Sequence, residues 1–323
     1  EAFVPGTLSR SQALFTVQEL TWPGGLALQA GVRVERAQVH SDGDAPDATE
    51  PRFGAAATRR FSPRSASVGI AVPIGGAGSG WRVNATLGQT QRAPAYYELY
   101  ANGLHVATGV VEQGDAQQQL ERSRHAEAGL QWQQGPHKLI ATVWQTRFAN
   151  FIALDASGAT VDVDGTAVPV YPFSGVPARL HGLEIDGRVR LASAPWQVDA
   201  TAGIDRVRGR NLRTGEALPR LAPLRLQAGM EVAQGAWRGG LQVRHAARQN
   251  QVPSTDVATP GHALVDLWAS RQQRLGQGSD LVWFAKLGNA GNALAYNASA
   301  LRTARAVSPA GARALQGGLR LAF

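Results

Sequence analysis

Cysteine is absent from all 323 residues, which excludes a disulfide framework, a thiolate metal site and a cysteine nucleophile. Lysine is nearly absent: only Lys138 and Lys286 occur, so the formal charge of +8 rests on arginine. Those arginines are spread one or two per apolar run, without a single basic patch interleaved with aromatics, so a nucleic-acid partner is not expected. No apolar stretch approaches the roughly 18 residues of a membrane-spanning helix. The opening EAFVPGTLSR also lacks the basic and apolar regions of a signal peptide. Either the chain is cytoplasmic, or it is a fragment parted from its targeting segment. Gly-x-Ser-x-Gly, P-loop, His-Glu-x-x-His and dinucleotide signatures are missing as well, so neither an enzyme nor a bound cofactor is expected.

What is present is alternation. Leu224-Arg225-Leu226-Gln227-Ala228-Gly229-Met230-Glu231-Val232 switches between apolar and polar at every step, and Leu183 to Leu191, Trp196 to Ile204, Leu26 to Glu35 and Leu315 to Phe323 nearly do. Each reads as a strand with one apolar and one polar face. The polar faces are heavily charged: Glu184, Asp186, Arg188 and Arg190 in one, Asp199 and Asp205 in the next. About thirteen such segments follow one another, near 11–22, 26–41, 60–74, 80–94, 123–135, 137–153, 174–191, 196–210, 220–234, 237–250, 262–275, 279–291 and 312–323. Tight connections (Pro23-Gly24-Gly25, Gly75 to Ser79, Gln134-Gly135-Pro136, Ser193-Ala194-Pro195, Gln234-Gly235-Ala236, Gly276-Gln277-Gly278) alternate with long ones at 42–59, 95–122, 154–173, 211–219, 251–261 and 292–311. Long antiparallel strands with short turns on one rim and long loops on the other predict an all-β, antiparallel transmembrane β-barrel.

The aromatics sort with the rims. Trp22, Trp81, Trp132, Trp196 and Trp237 sit beside short turns, as an interfacial girdle requires, and the tyrosines sit in or beside long connections. Trp144, Trp268 and Trp283 lie deeper in their strands and do not fit this sorting. The last strand resembles the carboxyl-terminal assembly signal of outer-membrane barrels through Gln316, Gly318, Leu321 and Phe323. Leu315, Leu319, Leu321 and Phe323 are expected to face lipid, with Gln316, Gly318 and Arg320 toward the lumen.

Several motifs in order along the chain resemble the TonB-dependent outer-membrane receptors: Gly31-Val32-Arg33-Val34-Glu35, Arg92-Ala93-Pro94 with Glu98-Leu99-Tyr100, Gly114-Asp115 with Leu120-Glu121-x-Ser123, Ala178 to Glu184, Leu218 to Pro223, and Leu287-Gly288-Asn289. ELYANGLHVATG (98–109) with Gln249-Asn250-x-Val252-Pro253 and Thr259-Pro260-Gly261 is similar to the subgroup that includes zinc-uptake receptors. The resemblance implies a barrel of roughly 22 strands whose lumen is filled by a plug. Residues 1–323 would then be its C-terminal portion, the last thirteen or so strands, without plug or TonB box. It implies uptake of a scarce ligand, a metal ion (zinc) or a metal chelate such as a siderophore, with long loops extracellular and the C-terminus periplasmic. Implied partners are outer-membrane lipid and lipopolysaccharide, TonB through the plug, and the barrel-assembly machinery. A passive porin-like channel and a non-transporting surface barrel are the alternatives.

Candidate ligand residues lie in the long loops. His105 suits Zn²⁺, Cu²⁺ or Ni²⁺, and Glu98, Glu112 and Asp115 place carboxylates in the same loop. His40 with Asp42 and Asp44 forms a second set, and Asp155, Asp162 and Asp164 a third, without nitrogen. The region 95–122 is expected to hold no regular element.

Overall fold

The computed structural model describes residues 2–76, 78–276 and 278–323. Two expected tight turns include Ala77 and Gln277, which lie outside the described residues, as does Glu1. Among the described residues seventeen strands form: β1 (Thr7–Thr21), β2 (Ala27–Ser41), β3 (Ala57–Phe61), β4 (Arg64–Ile74), β5 (Trp81–Arg92), β6 (Asn102–His105), β7 (Val110–Gln113), β8 (Glu121–Gln134) and β9 (His137–Leu154). The remainder are β10 (Thr160–Val163), β11 (Thr166–Ala192), β12 (Gln197–Asn211), β13 (Arg225–Gln234), β14 (Trp237–Ala246), β15 (His262–Gly276), β16 (Ser279–Gly288) and β17 (Ala314–Ala322). Among the same residues two short helices, α1 (Tyr96–Tyr100) and α2 (Arg302–Arg305), lie in long loops.

Each long strand pairs antiparallel with the next, from β1 through β17. β3 and β4 form one span. Both pair with β2, and the break falls at Ser62-Pro63, where Glu35 N donates to Pro63 O at 3.0 Å across the interruption. With β6, β7 and β10 set aside as loop strands, thirteen spans remain, which is the expected number. Among the described residues β1 pairs only with β2 and β17 only with β16, so the sheet has two free edges.

Registers fix two faces. Leu20 stands opposite Leu28, Leu28 opposite Ile70, Ile70 opposite Ala85 and Ala85 opposite Ala128, so one side of the sheet is apolar across neighbouring strands. Glu184 stands opposite Asp205 and Asp205 opposite Arg225 on the other side. The apolar side is uncovered: Leu14, Leu315 and Leu319 are each at least 75% exposed. The total accessible surface is 19395 Å², whereas a compact water-soluble chain of this mass would expose roughly 12,900 Å². Such a surface is consistent with a sheet wetted by lipid on one face and water on the other.

The girdle residues share the apolar parity, with Trp81 stacked on Trp132 at 5.8 Å. Trp283 also lies on this face, edge-on to Trp237 at 5.2 Å. Trp144 and Trp268 take the polar face, each lying over the glycine directly opposite it. A Cβ at Gly182 would come within 2.7 Å of the Trp144 ring, and one at Gly240 within 2.5 Å of Trp268 Nε1. Phe284 covers Gly318 in the same way, and Gln316 and Arg320 share that parity as expected. Aromatic rings over cross-strand glycines cover bare backbone, which is why these tryptophans leave the girdle.

The buried apolar clusters lie at the long-loop rim. One joins Val39 and Phe61 to Leu99 and Tyr100, another Ala101 and Val110 to Ile152, Leu154, Tyr171 and Phe173. The long loops are therefore packed structures.

Candidate functional site

Residues 95–122 hold regular structure, contrary to expectation. Helix α1 starts where Glu98 turns back to accept the Ala95 N–H at 2.7 Å, so the acidic residue caps its own first turn. Both Glu98 oxygens also receive the Arg92 guanidinium, at 2.8 and 2.9 Å, and Arg92 Nε reaches Glu121 at 3.2 Å. Glu98 is buried and pins α1 to the end of β5. The chain then forms the hairpin β6–β7, whose turn closes with Thr108 and Gly109 N–H groups on His105 O; Gly109 takes the positive φ of 63°. β7 docks parallel on the early part of β11. That part lies in the expected loop 154–173, where β10 and β11 close a hairpin through Asp164 and Gly165, both at positive φ.

His105 is the best-organised candidate. Its Nδ1 lies 2.8 Å from Glu112 Oε1, its ring stacks on Phe3 at 4.3 Å, and its Nε2 has no partner among the described residues. Glu112 is buried and also accepts from Thr108 Oγ1 at 3.3 Å. Asp115 uses its Oδ1 for the Gln117 N–H and its own N–H for Glu98 O. The loop thus brings His105 and Glu112 together and leaves Glu98 and Asp115 to local structure.

In the second set both ring nitrogens of His40 are engaged, Nδ1 with Thr58 Oγ1 at 2.9 Å and Nε2 with Asp42 at 3.3 Å. Asp44 accepts three consecutive backbone N–H groups, from Arg52, Phe53 and Gly54, which hold its carboxyl below the usual range. In the third set Asp162 caps its own turn through the Gly165 N–H. Among the described residues no group of three or more His, Asp or Glu side chains is arranged to hold an ion.

A network between loops was not foreseen. Asp256 and Arg305, whose side chains are each less than 10% exposed, pair at 2.9 Å; Thr255 Oγ1 donates to Asp155 at 3.2 Å; and Thr303 Oγ1 donates to Thr108 O on the hairpin. These partners lie up to 195 residues apart, so no local pattern announces them. Burial pushes the Asp155 carboxyl above its ordinary value of 3.8, against the opposing pull of the Thr255 hydroxyl and Ala156 N–H. The packed loops therefore bind that proton more tightly than the opened loops do. Their stability is greatest below the ordinary value and declines as pH rises through the raised one. Protease protection of residues 251–261 should fall over that interval and lose this dependence in Asp155→Asn, as hydrogen exchange or limited proteolysis would register.

On the polar face the spans carry ion pairs: Asp199 with Arg190 at 2.5 Å and Arg188 at 2.9 Å, Asp266 with Arg244 at 2.7 Å, and Asp205 with Arg225. A polar, charge-paired interior under packed loops, on long antiparallel spans with an apolar exterior, defines an outer-membrane-type barrel. The chain belongs to the TonB-dependent receptor family: residues 2–273 match the family described as TonB dependent receptor-like, beta-barrel. Among solved structures it is similar to "Copper transporter OprC" (TM-score 0.80, 19% identity, covering 97% of this chain and 48% of that one). It is also similar to the FrpB iron transporter from Neisseria meningitidis (TM-score 0.69, 14% identity, 98% and 46%). A third is the ferric-catecholate import receptor Fiu from K12 E. coli (TM-score 0.64, 15% identity, 98% and 44%). At these identities the likeness is one of fold, and this chain spans about half the length of each.

Proposed function

We propose that residues 1–323 are the C-terminal barrel portion of a TonB-dependent uptake receptor for a metal ion or metal chelate. The long loops face the outside, and the C-terminus faces the periplasm. The span count supports this reading, because a thirteen-span sheet with two free edges needs further strands to close. Coupling to TonB would run through a plug, and the last strand, with Gln316, Gly318, Leu321 and Phe323, would engage the assembly machinery.

The observation that carries the ligand class is His105. A histidine whose Nδ1 is fixed by a buried carboxylate while Nε2 stays open has the outer-shell arrangement of a metal-binding imidazole. Since Glu112 already holds the ring, His105 supplies one donor, and the remaining ligands come from a chelator or from parts of the receptor beyond this chain. Zinc follows from the subgroup resemblance, and copper and ferric chelates from what the structural neighbours carry. In the full-length receptor, His105→Ala should weaken Zn²⁺ or Cu²⁺ binding by calorimetry at least tenfold. Glu112→Gln should cost roughly 10- to 100-fold through loss of ring orientation. Unchanged affinity in His105→Ala, with unchanged growth under zinc limitation, would remove this site.

A further inference from the structure

Arginines that look scattered along the chain gather on one face of the sheet. Arg124 stands directly opposite Arg147, Arg147 opposite Arg179, and Arg179 opposite Arg210. All four have the parity of the apolar face, shared with Leu130, Ala141, Ile185 and Ile204 on the same strands. Arg122 and Arg208 extend the patch on that parity. A second patch on the same face brings Arg10 and Arg60 to either side of Gln38, with Arg36 and Arg64 next to them.

This distribution has three properties that a solvated charge pattern lacks. The apolar face of the thirteen spans carries no aspartate or glutamate: every acidic residue on them, from Glu19 to Asp280, has the opposite parity. The Arg–carboxylate pairs on the spans all lie on the polar face, whereas Arg124, Arg147, Arg208 and Arg210 are exposed with no partner among the described residues. Arg179 is half-buried beneath its neighbours, and its Nε has no hydrogen-bond partner. Both lysines also lie on the polar face, so the apolar face uses only the fork-shaped cation.

The height of the row identifies the environment. Trp132 marks the girdle on β8, and Arg124 lies eight residues beyond it, or roughly 26 Å along the strand. At a tilt near 40° that is roughly 20 Å of height, close to the upper border of an apolar band about 25 Å tall. At the border an exposed arginine costs little, whereas at mid-bilayer it is strongly destabilising. Like charges directly opposite one another in a sheet repel, and four adjacent strands hold this row within about 15 Å. A multivalent anion at headgroup level would relieve that repulsion, and guanidinium bonds phosphate through two parallel N–H donors.

We infer that this face binds phosphorylated glycolipid headgroups of the outer leaflet, with the row on β8, β9, β11 and β12 as the principal site. The assignment to that leaflet rests on the sidedness proposed above; the phosphate chemistry does not.

The test uses the full-length receptor in detergent and native mass spectrometry, with diphosphorylated lipid A as probe and its dephosphorylated form as control. Wild type should retain the phosphorylated lipid at least tenfold better than the control. The combined Arg124→Gln, Arg147→Gln, Arg179→Gln and Arg210→Gln variant should lose that preference, while metal binding at His105 persists. Equal retention of the two lipids by wild type overturns the proposal without any variant, and an unchanged preference in a folded quadruple variant overturns the site. Sidedness is read separately by labelling Val106→Cys on intact cells with an impermeant maleimide. Labelling supports the outer leaflet, and its absence there overturns that assignment even if the phosphate preference stands.

Discussion

Asp256→Ala should release the loop layer while leaving the spans in place. Arg305 forks onto both Asp256 oxygens, at 3.2 and 2.9 Å, and the same two terminal nitrogens also reach Val257 O and Ala300 O, each at 3.0 Å, while its Nε has no partner among the described residues. Both partners are less than 10% exposed, so neither can turn to water when the other is removed. Deleting the carboxylate leaves a buried guanidinium on two carbonyls, a situation that costs about 3–5 kcal/mol. Because α2 and the 251–261 loop are joined through this pair, the expected result is rapid tryptic cleavage near Arg302 and Arg305 with the unboiled barrel still migrating as folded. Asp256→Ala combined with Arg305→Met removes the stranded charge and should restore most of the protection. Wild-type protection in the single variant would mean that the loops are held together by the apolar clusters alone.

The spans were legible in the sequence because alternation is a local signal that extends over ten or more residues, and it specified both their number and which side of each is polar. The face carrying Glu184, Asp205 and Arg225 was readable from parity within each strand, and the registers align those parities across strands. Three things were not legible, each for a reason of range. Helix α1 is five residues long and depends on Arg92, outside the helix, so no periodicity could reveal it. Trp144 and Trp268 left the girdle for glycines on neighbouring strands, a relation fixed only by register. The arginines were read as dispersed, since one or two per strand is sparse along the chain. Register then places those of four adjacent strands side by side. Of the candidate ligands, the sequence pointed to the loop but could not separate His105, which keeps a free nitrogen, from Glu98, which caps a helix.

Arg92→Leu tests whether that cap matters to the whole barrel. The side chain bridges two carboxylates, Glu98 on α1 and Glu121 at the start of β8, and Glu121 in turn accepts the Ile152 N–H at 3.0 Å. One cation therefore ties three segments where the spans meet the loops. Removing it leaves Glu98 buried with only the Ala95 N–H as partner, and Glu121 with only that of Ile152. Because Arg92 itself is 43% exposed, part of the pair is screened by solvent, and the expected cost is about 3 kcal/mol, at the low end for a broken buried pair. At roughly 2 °C per kcal/mol for a chain of this length, the midpoint of heat modification on gels should fall by about 6 °C. Arg92→Lys keeps the charge but cannot fork onto both carboxylates, so its midpoint should lie between the two. Adding Glu98→Gln and Glu121→Gln to Arg92→Leu keeps an acceptor for each backbone N–H and removes the unpaired charges. Recovery in that triple variant would assign the loss to the stranded carboxylates, whereas a midpoint as low as in Arg92→Leu would assign it to the packing of the arginine stem.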